Sequence, residues 1–244
     1  MPTVKQNIAD IAFIAHQPGS TGIMPVIGIS VPGCGVSASC RELATEHGLN
    51  YAEFRTSMLD FRDFQALPKL KDGEVVYEPI RMVGMDLIEK GPCIVLIDEP
   101  LSNPAVTVGV LEQIARHATH PMSLILPVAA DRYEELVEIV SRGLSMPKSA
   151  IRGTTICDET SLRTEFIGYA RENGFPEHIV AYLESQEDLG GGTPGQWGAI
   201  SNVERDPAVN RRLLGTMRAG LLGDDVAARY EAWIEENRER FPKA

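Results

Sequence analysis

The run Pro92–Ile97 (PCIVLI), stopped by Asp98-Glu99, constrains this chain more than any other segment. A continuous apolar stretch this short, with no polar residue at alternate positions, reads as a strand buried on both faces. Met24–Ile29 (MPVIGI) and Met122–Val128 (MSLILPV) have the same character. Strands buried on both faces need helices above and below them, and the intervening segments supply the pattern. Cys40, Leu43, Ala44 and His47 form one stripe stopped by Gly48, and Asn103-Pro104 opens a helix through His117. A further helix follows from about Arg132 to Ser141, while Tyr51–Arg55 and Thr154–Cys157 read as additional short strands. Alternation at this spacing predicts βαβ units and a parallel sheet of about five strands. Between Asp60 and Lys90 the chain is polar and irregular, with Lys71-Asp72-Gly73-Glu74 as a hairpin tip.

After Asp158 only helical periodicity remains. Helices are expected at Glu159–Asn173, Glu177–Gln186, a short one near Trp197, Pro207–Ala219 and Asp224–Arg240, with Gly190-Gly191-Gly192 as a separator. The expected organisation is an α/β core over 1–157 and a small all-helical domain over 158–244. Trp197 and Trp233 fall among the helical residues and are expected in their core.

Composition narrows the function classes. With 23 basic against 34 acidic residues the formal charge is −11, which argues against a broad nucleic-acid surface. The four cysteines and five histidines form no C-x-x-C pair and complete no zinc spacing, so no metal site of that kind is expected. No apolar stretch approaches the ~20 residues that cross a bilayer, and the first ten residues lack a secretory pattern. The expectation is a cytoplasmic protein with no membrane contact.

The turn after Met24–Ile29 carries the chemistry. A phosphate loop, G-x-x-x-x-G-K-[ST] between a strand and a helix, aligns with Ser30-Val31-Pro32-Gly33-Cys34-Gly35-Val36-Ser37. Pro32, Gly33, Cys34, Gly35, Val36, Ser37 and Ala38 are the expected phosphate-binding segment. Backbone N–H groups at a helix N-terminus favour an anion. The lysine that would neutralise the β- and γ-phosphates is replaced by Val36, whereas Ser37 keeps the hydroxyl that would meet Mg²⁺. The glycines alone would also suit an ordinary tight turn. Asp98-Glu99 at the end of an apolar strand match a Walker B pair, in which the aspartate holds Mg²⁺ and the glutamate orients water. A pair of solvated acids is the plainer alternative.

With both elements placed, the chain resembles the MoxR-like branch of the AAA+ ATPases. The stretch Ser57–Pro68 with Asp72-Gly73-Glu74-Val75 looks like that family's segment between its second strand and Walker B. Thr193-Pro194-Gly195-Gln196-Trp197 is similar to the family's Thr-Pro-Arg-x-Trp lid segment, and Gly220–Gly223 before Val226-Ala227-Ala228 fits the last lid helices. The resemblance covers residues 20 to 238. It implies a parallel-sheet P-loop NTPase core with a helical lid, ATP or ADP with Mg²⁺ as ligands, and a homo- or hetero-oligomeric assembly, with a protein client if hydrolysis operates.

The departures are equally specific. Val128-Ala129-Ala130 stands where the family has a polar sensor, and Gly195 where the lid arginine would fall. Arg152 is the candidate for an arginine finger acting on a neighbouring subunit. Loss of the lysine and both sensors, with Asp98 and Glu99 kept, implies weak nucleotide binding and impaired hydrolysis. Two other readings stay open: a working ATPase in which Arg41 or Lys5 supplies the missing cation, and a scaffold that binds no nucleotide.

Overall fold

The structure, a computed structural model, describes residues 4–15, 22–64, 66–79 and 84–241; His16 and Gln65 lie outside them. The chain divides into two units, chiefly Pro2–Val31 with Gly35–Cys157, and Asp158–Ala244 with Pro32–Cys34.

The first unit runs α1 (Val4–Ala15), β1 (Ile23–Ser30), α2 (Val36–His47), β2 (Asn50–Arg55), β3 (Ala66–Lys71), β4 (Glu74–Pro79), α3 (Met85–Lys90), β5 (Cys93–Asp98), α4 (Pro104–His117), β6 (Met122–Val128), α5 (Tyr133–Gly143) and β7 (Arg152–Cys157). Five strands form one sheet in the order β2-β5-β6-β1-β7, every pair parallel. This is the α/β architecture expected of a P-loop NTPase core. Cys93 to Ile97 are fully buried, as a central strand covered on both faces must be. Asn103 caps α4 by accepting from the Val106 amide, and Pro104 occupies the first turn, where a missing N–H costs nothing.

Three features differ from the sequence reading. The Asp60–Lys90 stretch is more regular than expected: β3 and β4 pair antiparallel around the Asp72-Gly73 turn, and α3 follows. The N-terminal segment forms α1, which lies beside β7, and Asn7 Nδ2 donates to the Ile156 carbonyl at 2.7 Å. His47, at the end of the α2 stripe, is exposed, while Val36 joins Cys40, Leu43 and Ala44 on the buried face. Gly48 ends α2 in the left-handed conformation, the stop expected of it.

The second unit contains α6 (Glu159–Glu172), α7 (Glu177–Ser185), α8 (Pro194–Arg205), α9 (Arg211–Leu222) and α10 (Asp224–Glu236), with no strand among the described residues. Tyr182, Trp197 and Tyr230 are its fully buried aromatic centre, and the Trp197 indole donates to the Leu189 carbonyl at 2.8 Å. Burying a ring of that size removes roughly 200 Å² from water, about 5 kcal/mol as an upper bound. The helix near Trp197 is longer than expected because Thr193 and Gln196 form a reciprocal capping box that fixes its start. Asn210 caps α9, so that helix begins after Pro207 rather than at it. Glu204, nearly inaccessible, meets Arg218 at 2.9 Å and His178 at 2.5 Å, a buried charge held by partners from neighbouring helices.

Candidate active site at the carboxyl end of the sheet

Parallel register places the candidate residues. Leu96 of β5 is level with Ile125 of β6, and Ile125 with Val26 of β1. Counting on, Asp98 is level with Pro127 and Gly28, across one intervening strand, a lateral separation of about 10 Å. The turn after β1 and the acid pair after β5 therefore share the carboxyl edge, on either side of the end of β6. Ligands of open parallel sheets bind at this edge.

The turn itself is built on two glycines in the left-handed region, Gly33 at φ 76° and Gly35 at φ 86°. Any side chain there would cost about 1–2 kcal/mol. The register between β1 and β7 also shifts at Ile29/Ser30, a bulge that redirects the chain into the turn. Gly35 precedes α2 with no side-chain cap, and the first turn of α2 holds no acid. The amides of Val36, Ser37 and Ala38 have no carbonyl one turn earlier within the helix, and the helix dipole adds partial positive charge there. The lysine position is different in kind. Val36 is 8% exposed and belongs to the buried face of α2, so its side chain is turned into the unit's interior.

The acid corner keeps its charged groups but engages them elsewhere. Arg55 stands opposite Asp98 in the β2–β5 register, and its Nε donates to Asp98 Oδ2 at 3.0 Å. The second oxygen, Oδ1, accepts the amide of Glu99 at 3.1 Å. Asp98 beside it raises the Arg55 guanidinium above its ordinary range. Glu99 adopts φ 52°, one of three non-glycine residues with positive φ among those described. Its carbonyl accepts from buried Thr56 Oγ1 at 2.6 Å and from the Ser102 amide at 2.9 Å, which hold this strained turn in place. The Glu99 carboxylate is left exposed.

A Mg²⁺ ion at this corner would draw on Ser37 and Asp98. Each Asp98 oxygen already accepts a hydrogen bond, and the adjacent guanidinium offsets its charge. The acid does not fit a dication without losing Arg55. No cluster of three or more His, Cys, Asp or Glu suited to a metal occurs among the described residues.

The remaining candidates separate. At the end of β6, Ala129 and Ala130 are exposed and bring no polar side chain. Arg152 begins β7 opposite Val26, four residues back from the end of β1, or roughly 13 Å along the strand. It lines a cleft of about 270 Å³ with Asn7, Asp10, Ile11, Met24 and Val26, away from its own chain's turn. Both proposed replacement cations are occupied. Arg41 donates to Glu53 at 3.0 Å and lies over the Tyr51 ring, and Lys5 pairs with Glu42 and Glu46 at 2.8 and 2.7 Å. Arg55 is the residue sequence reasoning missed. Its place beside Asp98 depends on strand order and register, and its sequence signal was no more than a cation ending a short strand.

No family model matches the sequence, and no curated protein matches it. Among solved structures the chain is similar to katanin, from a study of its self-assembly, with 13% identity, TM-score 0.48, and coverage of 93% of this chain and 81% of that one. It is similar to domain III of the Thermotoga maritima replication initiation protein DnaA, with 11% identity, TM-score 0.47, and coverage of 92% and 94%. Aeropyrum pernix ORC1, solved in complex with DNA, gives 18% identity, TM-score 0.45 and coverage of 89% and 64%, so this chain spans just under two thirds of it. TM-scores below 0.5 at such identities say nothing of the site. No described helix is long and apolar enough to cross a membrane.

Proposed function

We propose that the chain is an AAA+-type P-loop protein, MoxR-like, that binds ATP or ADP weakly and hydrolyses it at or near background. On this reading it serves as a subunit of a homo- or hetero-oligomer. The observation that carries the reading is the contrast at the turn after β1. Gly33 and Gly35 curl the backbone as an anion cradle requires, while the lysine position holds buried Val36. Backbone amides favour phosphate without a lysine, but transfer of the γ-phosphoryl group depends on charge stabilisation at the moment of reaction. Exposed alanines at the end of β6 remove a second contact to that group. Each such contact is worth on the order of a few kcal/mol, and 1.4 kcal/mol is tenfold in rate. Arg152, placed away from its own turn, would act only on a neighbouring subunit.

Calorimetric titration of Mg·ATP into wild type and Val36→Lys, with phosphate release followed in parallel, tests the reading. With circular dichroism confirming that the lysine variant folds, its longer side chain turned out of the packed face, it is expected to bind at least tenfold more tightly while both proteins release phosphate at background. Wild-type turnover of about 1 s⁻¹ or faster, abolished by Glu99→Gln, would overturn it. Failure of both proteins to bind would favour the second reading, a scaffold without nucleotide, for which the pairing of Asp98 with Arg55 already argues.

A further inference from the structure

The edge strand β2 carries a charge network that reaches the acid corner. Tyr51 Oη donates to Glu53 at 2.8 Å, and Arg41 donates to the same carboxylate at 3.0 Å. Arg55 Nη2 stands 3.5 Å from Glu53 Oε1, while its Nε holds Asp98 Oδ2 at 3.0 Å. Two guanidiniums and two carboxylates alternate along one edge, so the set is neutral and Arg55 is bracketed by acids on both sides. A dication approaching Asp98 must detach Arg55 from this set and then stand beside a fixed positive charge, since a guanidinium does not deprotonate.

We propose that Arg55 is the resident cation of the acid corner, and that it makes nucleotide binding by this chain independent of Mg²⁺. This rests on the nucleotide-binding reading above. Arg55 is a positioning residue here: it holds Asp98 and sets which cation the carboxylate serves.

Affinity for ATP is measured by calorimetry with excess Mg²⁺ and again with EDTA, on wild type, Arg55→Gln and Arg55→Lys, with circular dichroism confirming that each folds. In wild type, Mg²⁺ is expected to change the affinity less than threefold. In Arg55→Gln, where Asp98 regains an unbalanced charge, Mg²⁺ is expected to strengthen binding tenfold or more. Arg55→Lys, which restores a charge, is expected to return toward wild type. Wild-type binding that rises tenfold with Mg²⁺, or an Arg55→Gln variant that responds to Mg²⁺ as wild type does, overturns this proposal and leaves the nucleotide reading intact. Absence of ATP binding by every protein in both buffers overturns both.

Discussion

The turn after β1 and the acid corner after β5 sit on the same edge of the same sheet, and each is incomplete in the opposite way. The turn keeps its shape: two left-handed glycines, an uncapped helix start, and a serine in place. What it lacks is charge, because Val36 faces inward. The corner keeps its charge, with Asp98 and Glu99 both present, yet Asp98 is tied to Arg55 and Glu99 is held in a strained turn. Backbone geometry is enforced by local conformation and needs no particular side chain to use it. Charged groups persist only where something satisfies them, and in this corner the satisfier is another side chain.

Three experiments would break or sharpen that contrast. Replacing Gly35 by valine should have the largest effect. A Cβ there meets nothing within 4 Å, so any loss reports conformational strain alone, and a β-branched residue at positive φ costs about 2 kcal/mol. Both the midpoint of urea denaturation and ATP affinity should fall, the latter by about thirtyfold. Unchanged midpoints would mean that the turn is not held in its left-handed shape.

An intermediate effect should come from alkali. Burial pushes Cys40, under the turn's helix, and Cys93, at the start of the corner's strand, up to about 12. Unfolded thiols ionise near 8.5, so both raised values give stability that is full below that pH and declines as pH climbs toward 12. Between pH 7 and 9 the decline should be about 1.6 kcal/mol, and Cys40→Ala and Cys93→Ala should each remove its half of the slope. A slope carried wholly by one thiol would show that one region opens before the other.

The smallest effect belongs to Glu99→Gly. Relief of positive φ, less the extra chain entropy of glycine, should stabilise the protein by about 0.5 kcal/mol, with phosphate release unchanged from background. Wild-type release above background that Glu99→Gly removes would show that the exposed carboxylate works on water after all.

How much of this was legible in the sequence follows the range of the forces involved. The buried strands announced themselves as unbroken apolar runs, and β5 and α4 fall within one residue of the expected limits, since Asn103-Pro104 is a local start signal. The antiparallel β3–β4 pair was visible only at its turn, because Asp72-Gly73 is local chemistry while the flanking residues lack alternation. α1 carries neither an acid in its first turn nor a base in its last, so no local charge signal marked it. In the site, Gly33, Gly35, Asp98 and Glu99 are tied to strand ends and were placed by sequence. The roles of Arg41, Lys5 and Arg55 were not, since each is decided by a partner on another element: Glu53, Glu42 with Glu46, and Asp98.

The bond from Asn7 to the Ile156 carbonyl has a consequence for handling the protein. β7 is the last strand of its sheet, and an uncovered last strand offers unpaired backbone groups to any other extended chain. α1 lies against that strand, and its Asn7 side chain takes up one of the strand's carbonyls. A shortened chain beginning at Gly22 would keep every residue of the candidate site and bare this border. Its solutions should cloud on concentration where those of the longer chain stay clear.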